Sequence, residues 1–463
     1  SLLRQAGHTV TIVEANTRVG GRIKTFRNTE EKTYFEDSRL SGEAGAMRIP
    51  DMHKLVQYLI DYTGVEKQIF LNKTVSKADA TSPEIDNPKR DANGDIVLPD
   101  STGKNFIHAN YKHTSREKYD QEGADVNALL DYNLAAGENE QASLLLDAAI
   151  GELRKQVQED PKTAWPRIIK EYGEYSMRRY LTEKVTDNGK LSENAIVMIG
   201  VIENLESRMS YSFIQCFIEL AIITPDTPFW LIKGGTDLFS TAYFEKEGLD
   251  DVTFRNQTLV DLYEDQITGQ VRINTKVSKD ITETADLDQA TCARLSSRSW
   301  DEAIVTIPFS SFRMVHVWPQ LTQTKRKAIR ELHYDSATKV LLEFRERFWE
   351  TQNDIYGGGS VTDLPNRFMY YPSERMGSGK GGVMLVSYSW ADDARKWDSM
   401  SHYERFCYAL ENVAITHAIH EPNASYEERL VAQQKIRDLC VFNPELYKDE
   451  QENVLGAASV SWK

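Results

Sequence analysis

The sequence predicts an α/β + α architecture, with a Rossmann-like nucleotide-binding domain interleaved with a mixed-sheet domain and a helical domain. Three observations predict it. The chain opens on a succession of helix, glycine, strand and acid (Ser1–Ala6, Gly7, His8–Glu14), which reads as the second half of a βαβ unit. A helical block follows, with apolar repeats in Leu144–Ile150, Ala164–Tyr172, Ser176–Leu181, Glu193–Leu205 and Ser210–Ala221. Strand patterns then return in Val252–Phe254, Thr258–Tyr263 and Gln270–Ile273, with a fully buried pattern in Ala303–Ile307 stopped by Pro308. Such an order is that of interleaved units, not of domains strung end to end. The expected boundaries are 1–50 and 226–310 for the nucleotide-binding domain, to which 451–463 begins to return. The sheet domain takes 51–122 and 311–450, and the helical domain 123–225.

Taken in order, His8–Glu14 reads as a buried parallel strand, with Gly7 capping the helix before it. Asp51–Tyr62 reads as an amphipathic helix capped by Asp51 and ended by Gly64, its apolar face made by Leu55, Tyr58, Leu59 and Tyr62. Residues 72–106 are polar and turn-rich, the mark of hairpins or a long surface excursion. Lys339–Phe344, Arg367–Tyr371 and Gly382–Tyr388 read as strands, and Ser401–His420 and Tyr426–Cys440 as helices.

Composition narrows the function classes. The 463 residues suggest two or three domains, and 40% hydrophobic with 27% charged residues is the balance of a globular protein. No apolar run approaches the roughly 18 residues of a membrane span, and Phe213–Thr224 is broken by Gln215, Cys216 and Glu219. A net charge of -15 argues against nucleic acid and anionic membranes as partners. The four cysteines form no C-x-x-C pair and the nine histidines show no metal spacing, so no metal is expected. G-x-S-x-G, H-E-x-x-H and P-loop patterns are absent. Glycosylation triplets begin at Asn72, Asn256 and Asn423, a faint pointer to an extracellular protein.

Four strings carry chemistry. In Ile12-Val-Glu-Ala-Asn-Thr-Arg-Val-Gly-Gly-Arg22, Glu14 stands at a strand tip where a ribose diol is bound. Gly20 and Gly21 allow backbone N–H groups to approach a pyrophosphate, and Arg22 adds a charge-assisted contact. In Gly42-Glu-Ala-Gly-Ala-Met-Arg-Ile-Pro50, Arg48 sits among apolar neighbours and must place its charge, either on a buried acid or on a ligand carboxylate. His333-Tyr-Asp-Ser-Ala-Thr-Lys-Val340 puts Lys339 at the start of an apolar strand, where an unpaired ammonium is costly. Gly357-Gly-Gly-Ser-Val-Thr-Asp-Leu-Pro-Asn-Arg-Phe-Met-Tyr-Tyr-Pro372 ends in two strand tyrosines that must face opposite ways.

Together these strings resemble the flavin amine oxidases, and the second and fourth resemble the L-amino-acid oxidases among them. The resemblance runs over nearly the whole chain, with gaps in 72–125, 276–300 and 420–450. It implies a Rossmann-like FAD-binding domain, a mixed-sheet substrate domain and a helical domain, with FAD as cofactor. Glu14, Ala15, Gly20, Gly21, Arg22, Gly45, Ala46, Met47, Arg48 and Val260 are implied as cofactor contacts. Arg48 is implied as the anchor of the substrate carboxylate, with one of Tyr370 and Tyr371 beside it; Tyr371 is the preferred one. Lys339 is implied as a catalytic residue near the flavin N5 through a water. The implied reaction converts an L-amino acid and dioxygen to a 2-oxo acid, ammonia and hydrogen peroxide, in an extracellular homodimer. Glu206, Arg208 and Tyr211 lie where some members read the substrate side chain, but they carry no specificity expectation here. Alternatives are an amine or polyamine oxidase of the same fold, or a non-catalytic fragment. The family would continue past Val460-Ser-Trp-Lys463 to an aromatic wall and a Gly-Glu flavin motif, so a chain shortened at both ends is expected.

Overall fold

The strand Ala337–Phe344 is buried along its length, and its two-residue period sorts it into two faces. Val340, Leu342 and Phe344 enter one core with Phe348, Trp349, Tyr371 and Val413. Leu341 enters a second core with Phe26, Phe35, Phe70 and Tyr370. Lys339 and Glu343 alternate onto the side of Leu341, so both polar side chains are aimed at the segment 34–46. In the computed structural model, which describes residues 1–183, 190–224, 226–278, 285–374, 380–418, 424–447 and 454–462, this strand is second in a seven-stranded sheet. The order is Ala457–Trp462, Ala337–Phe344, Gly382–Trp390, Phe368–Tyr370, Gly359–Thr362, Phe106–Ala109 and Lys112–Ser115. Pairing is antiparallel except between Gly359–Thr362 and Phe106–Ala109.

Helices Ala142–Glu159, Pro161–Tyr172, Met177–Glu183, Glu193–Ile202 and Phe213–Ile222 form their own core, which meets the sheet through Ile107, Ala109 and Val361. The helical reading of this stretch holds over its described residues; 184–189 lie outside them. A three-stranded antiparallel sheet joins Ile49–Pro50, Phe229–Ile232 and Lys67–Phe70. On the nucleotide side, Ile12–Val13 pairs in parallel with Thr253–Phe254. Gln257–Glu264 pairs antiparallel with Val271–Val277 and in parallel with His316–Trp318.

Several local expectations need correction. Helix Lys54–Thr63 ends at Gly64 in the left-handed region, as read, but its buried residues are Gln57 and Ile60. Leu55 and Tyr58 are exposed. The helix carries two apolar stripes, and the neighbouring core of Ile49, Ile232, Leu238 and Phe239 takes the one bearing Val56 and Ile60. Asp51 does not cap it; its carboxylate accepts the Trp230 indole N–H at 2.9 Å. Of His8–Glu14 only Ile12–Val13 is strand, half-buried, because Thr253–Phe254 is its one partner strand among the described residues. Ala303–Ile307 forms no strand and is exposed: no described strand pairs with it, so its apolar pattern has no sheet to fill. Residues 72–106 are less superficial than expected, since Val75, Ile85 and Ile96 pack on Ile69 and Trp230. Asn423 lies outside the described residues. All four cysteines are free, and no described helix is long and apolar enough to cross a membrane.

Candidate functional site

The nucleotide end is built from two loops in van der Waals contact. Gly20 and Gly21 hold φ of 96° and 54°, and a Cβ on Gly20 would stand 2.7 Å from the Ser240 Oγ. A Cβ on Gly45 would stand 1.7 Å from the Arg22 carbonyl oxygen, so only glycine lets the 43–48 loop lie on the 20–22 loop. Among the described residues the N–H groups of Gly20, Gly21 and Arg22 donate to nothing, and the Arg22 side chain is exposed. Three unpartnered N–H groups beside an exposed guanidinium suit a pyrophosphate. Arg18, unnoticed in the sequence, braces this loop by donating to the carbonyls of Val19 at 3.1 Å and Ile23 at 3.0 Å. Glu14 ends its strand and accepts from the Asn16 N–H at 2.7 Å, next to exposed Ala15. Its carbonyl accepts the Gln257 N–H at 2.9 Å, which places the strand carrying half-buried Val260 alongside.

Behind the second loop lies Lys339, 2% exposed. Its Nζ donates to the Gly45 carbonyl at 2.6 Å and to the Glu43 carbonyl at 3.3 Å, and it sits 4.8 Å from the Tyr388 ring centroid. The carbonyl between them, Ala44, accepts the Trp462 indole N–H at 2.8 Å. The Glu43 carboxylate turns away to Thr236 N–H at 2.7 Å and Thr25 Oγ at 2.9 Å. Burial drives Lys339 down and Glu43 up, and their mutual attraction opposes both shifts. Four residues further along the same strand, Glu343 accepts the N–H groups of Glu36 at 2.7 Å and Asp37 at 3.0 Å. The polar residues of one strand face thus hold the 36–45 segment by its backbone.

Arg48 emerges from this loop half-buried. Its guanidinium carbon stands 4.7 Å from the Phe229 ring centroid, 5.4 Å from Tyr370 and 5.8 Å from Phe70. One Nη donates to the Asn72 Oδ1, and the positive charge of the same guanidinium acts on the Tyr370 phenol, opposing the rise that burial imposes on it. Among the described residues Arg48 has no ion-pair partner, so the buried acid that could have taken its charge is not there. Met47, Phe70, Leu231 and Tyr370 line a neighbouring cavity of about 110 Å³, together with Glu43 and Glu374. Ala46 is exposed. A larger cavity, about 500 Å³, lies elsewhere between residues 310–338 and Arg395, Asp398 and Trp462, and none of the expected site residues lines it.

The preference for Tyr371 is corrected. Its ring is 1% exposed, and its hydroxyl sits 2.6 Å from both Ser360 Oγ and His417 Nε2, in the core. Strand alternation turns Tyr370 the other way, towards Arg48. Five participants escaped the sequence reading: Arg18, Glu43, Asn72, Phe229 and Trp462. Arg18, Glu43 and Trp462 lay inside strings already singled out, whereas Asn72 and Phe229 reach the site only through tertiary packing.

Comparison with known proteins identifies the family. Residues 1–434 match the model of the flavin containing amine oxidoreductase family. An L-glutamate oxidase precursor of Streptomyces diastatochromogenes is 33% identical over 90% of this chain and 78% of its own. An L-amino-acid oxidase of Siganus canaliculatus is 28% identical over 90% of this chain and 67% of its own. A putrescine oxidase structure superimposes with a TM-score of 0.59 at 15% identity, over 90% of this chain and 77% of that one, which establishes the shared fold. With its paired-glycine loop, the phosphate-ready N–H groups beside it and a family match over most of its length, the chain belongs to the flavin-containing amine oxidoreductases, whose cofactor is FAD.

Proposed function

We propose that the protein is an L-amino-acid oxidase, converting an L-amino acid, water and dioxygen to a 2-oxo acid, ammonia and hydrogen peroxide. The observation that carries this reading is Arg48, a guanidinium in an aromatic cage with no acid paired to it among the described residues. A substrate carboxylate supplies the missing charge, taking N–H bonds from Arg48 and the hydroxyl of Tyr370. An amine lacking a carboxylate would leave Arg48 unmatched, which disfavours the polyamine reading. The relatives named for L-glutamate and L-amino acids point the same way.

Gly20, Gly21, Arg22 and Glu14 would hold the pyrophosphate and ribose of FAD, with the Gly45–Arg48 loop against it. Bound FAD would supply a two-electron acceptor for the Cα hydride, with dioxygen as the final oxidant. Carboxylate capture at Arg48 fixes the orientation of Cα, and fixing reacting atoms near contact is worth several kcal/mol of barrier. Lys339 is assigned a place on the flavin side, its ammonium held by two carbonyls at the rear of the loop. The imino acid released hydrolyses to the 2-oxo acid and ammonia. The work site is placed outside the cell, in keeping with the word precursor in the Streptomyces relative's name. Among the described residues glycosylation lends no support, since Asn256 is buried and Asn72 is engaged with Arg48.

The test is anaerobic mixing of the flavin-loaded protein with L- and D-amino acids. Loss of flavin absorbance with the L-series alone is expected. Bleaching by diamines but by no amino acid would overturn the reading.

A further inference from the structure

Arg48 is steered by a residue that contributes no charge. Asn72 follows strand Lys67–Phe70, and its amide oxygen accepts a guanidinium N–H of Arg48. The backbone around it is clamped from three sides. Ser373 Oγ accepts the Leu71 N–H at 3.0 Å, and the Leu71 carbonyl accepts the Gly358 N–H at 2.8 Å. Thr74 Oγ1 bonds Asn105 at 3.2 Å and the Gly357 carbonyl at 3.3 Å. Gly357 and Gly358 both hold φ of 70° and press on this turn: a Cβ on Gly357 would lie 2.4 Å from the Leu71 Cβ, and one on Gly358 2.6 Å from the Thr74 N. The paired glycines, which no nucleotide contact explains, therefore fix the turn that presents Asn72. Ser373 follows the Tyr370–Tyr371 pair, so the same clamp couples Asn72 to the strand that carries Tyr370.

We propose that Asn72 is the positioning residue of the carboxylate anchor, fixing the Arg48 guanidinium through a neutral amide oxygen so that its positive charge stays uncompensated for the substrate. The inference rests on the reading of Arg48 as that anchor. An aspartate would fit the same space and accept the same N–H, but as an anion it would neutralise Arg48 and compete with the substrate for it. A shorter side chain would keep the charge and lose the orientation.

Asn72→Asp, Asn72→Ala and Arg48→Met, each in the full flavin-loaded protein, distinguish these roles. Benzoate binding, followed by perturbation of the flavin spectrum and by thermal shift, is measured beside steady-state kinetics. Asn72→Asp is expected to raise both the benzoate Kd and the amino-acid KM at least about tenfold, with kcat changed less than about threefold. The loss should lessen at low pH as the introduced carboxylate takes up a proton. Asn72→Ala is expected to raise KM about fivefold without that pH dependence. Should Asn72→Asp fail to fold, Asn72→Ala decides: an unchanged KM overturns the proposal. Benzoate binding within twofold of the parent in Asn72→Asp also overturns it, provided Arg48→Met abolishes binding. If Arg48→Met binds benzoate normally, the anchor reading itself falls.

Discussion

Arg48 and Lys339 are cations within electrostatic reach of each other, yet the chain treats them oppositely. Lys339 is fully enclosed, and two of its three N–H donors are occupied by the carbonyls of Glu43 and Gly45. Arg48 is less buried and touches three aromatic rings, with one amide oxygen and one phenol as its polar company. A cation satisfied from within contributes to the shape of a loop. A cation caged by ring faces keeps most of its hydrogen-bonding capacity and its whole charge for a ligand. On the proposed function the difference gives substrate capture to one and loop geometry to the other, although both looked alike in sequence as basic residues beside apolar runs.

Replacing each cation by methionine breaks the comparison most directly. Arg48→Met should lower kcat/KM for L-amino acids by a factor of about 100 or more, about 3 kcal/mol, mainly through KM. Its unfolding free energy should change by less than about 1 kcal/mol, because no ion pair is lost. Lys339→Met should instead leave two buried carbonyls without donors, at a cost of about 1–3 kcal/mol in stability. Its amino-acid KM should move far less than that of Arg48→Met. Denaturant melts and steady-state kinetics on both variants decide the matter. Equal KM losses would erase the distinction.

The adjacent tyrosines repeat the contrast on a smaller scale. Tyr370→Phe removes the hydroxyl beside Arg48, and KM should rise about tenfold at nearly constant stability. Tyr371→Phe removes a hydroxyl shared by Ser360 and His417, in a core where burial holds His417 neutral, its pKa pushed down to about 4. Stability should fall by about 1–2 kcal/mol there, with KM within twofold. The reverse pattern would restore Tyr371 to the site.

What could be read from the sequence follows the range of the forces involved. The Glu14–Arg22 string, the buried strand at 337–344 and the helices between 142 and 222 are specified locally, by turn chemistry and periodicity, and the structure has each in place. Strand alternation required Tyr370 and Tyr371 to part, but not which would meet Arg48; that depends on the sheet between Gly359–Thr362 and Gly382–Trp390. The exposed Ala303–Ile307 and the inverted face of Lys54–Thr63 failed for one shared reason. An apolar pattern states that a segment can be buried, whereas the neighbouring elements decide whether and on which side. Asn72 was legible only as a glycosylation triplet, because its partner lies 24 residues away across a tertiary contact.

The smallest expected effect concerns the proton that accompanies Lys339. Glu43 is held above its ordinary value of 4.5, chiefly by burial, even with Lys339 nearby and hydrogen bonds from Thr25 and Thr236 pulling it down. A carboxyl raised in the folded state keeps a proton that the unfolded chain has already released. Its contribution to stability is therefore complete below 4.5 and is lost as pH rises through the folded value. Glu43→Gln cannot ionise and escapes this loss. The stability of the variant relative to the parent should thus improve between about pH 5 and pH 8, by at least about 1 kcal/mol, the attraction to Lys339 being already contained in the raised value. Thermal melts of both proteins across that range measure it. A parent that instead gains on the variant as pH rises would mean that the Lys339 attraction outweighs burial, and that the two groups form a stabilising ion pair. Lys339 would then be a charged partner of Glu43 before it is a brace for the loop.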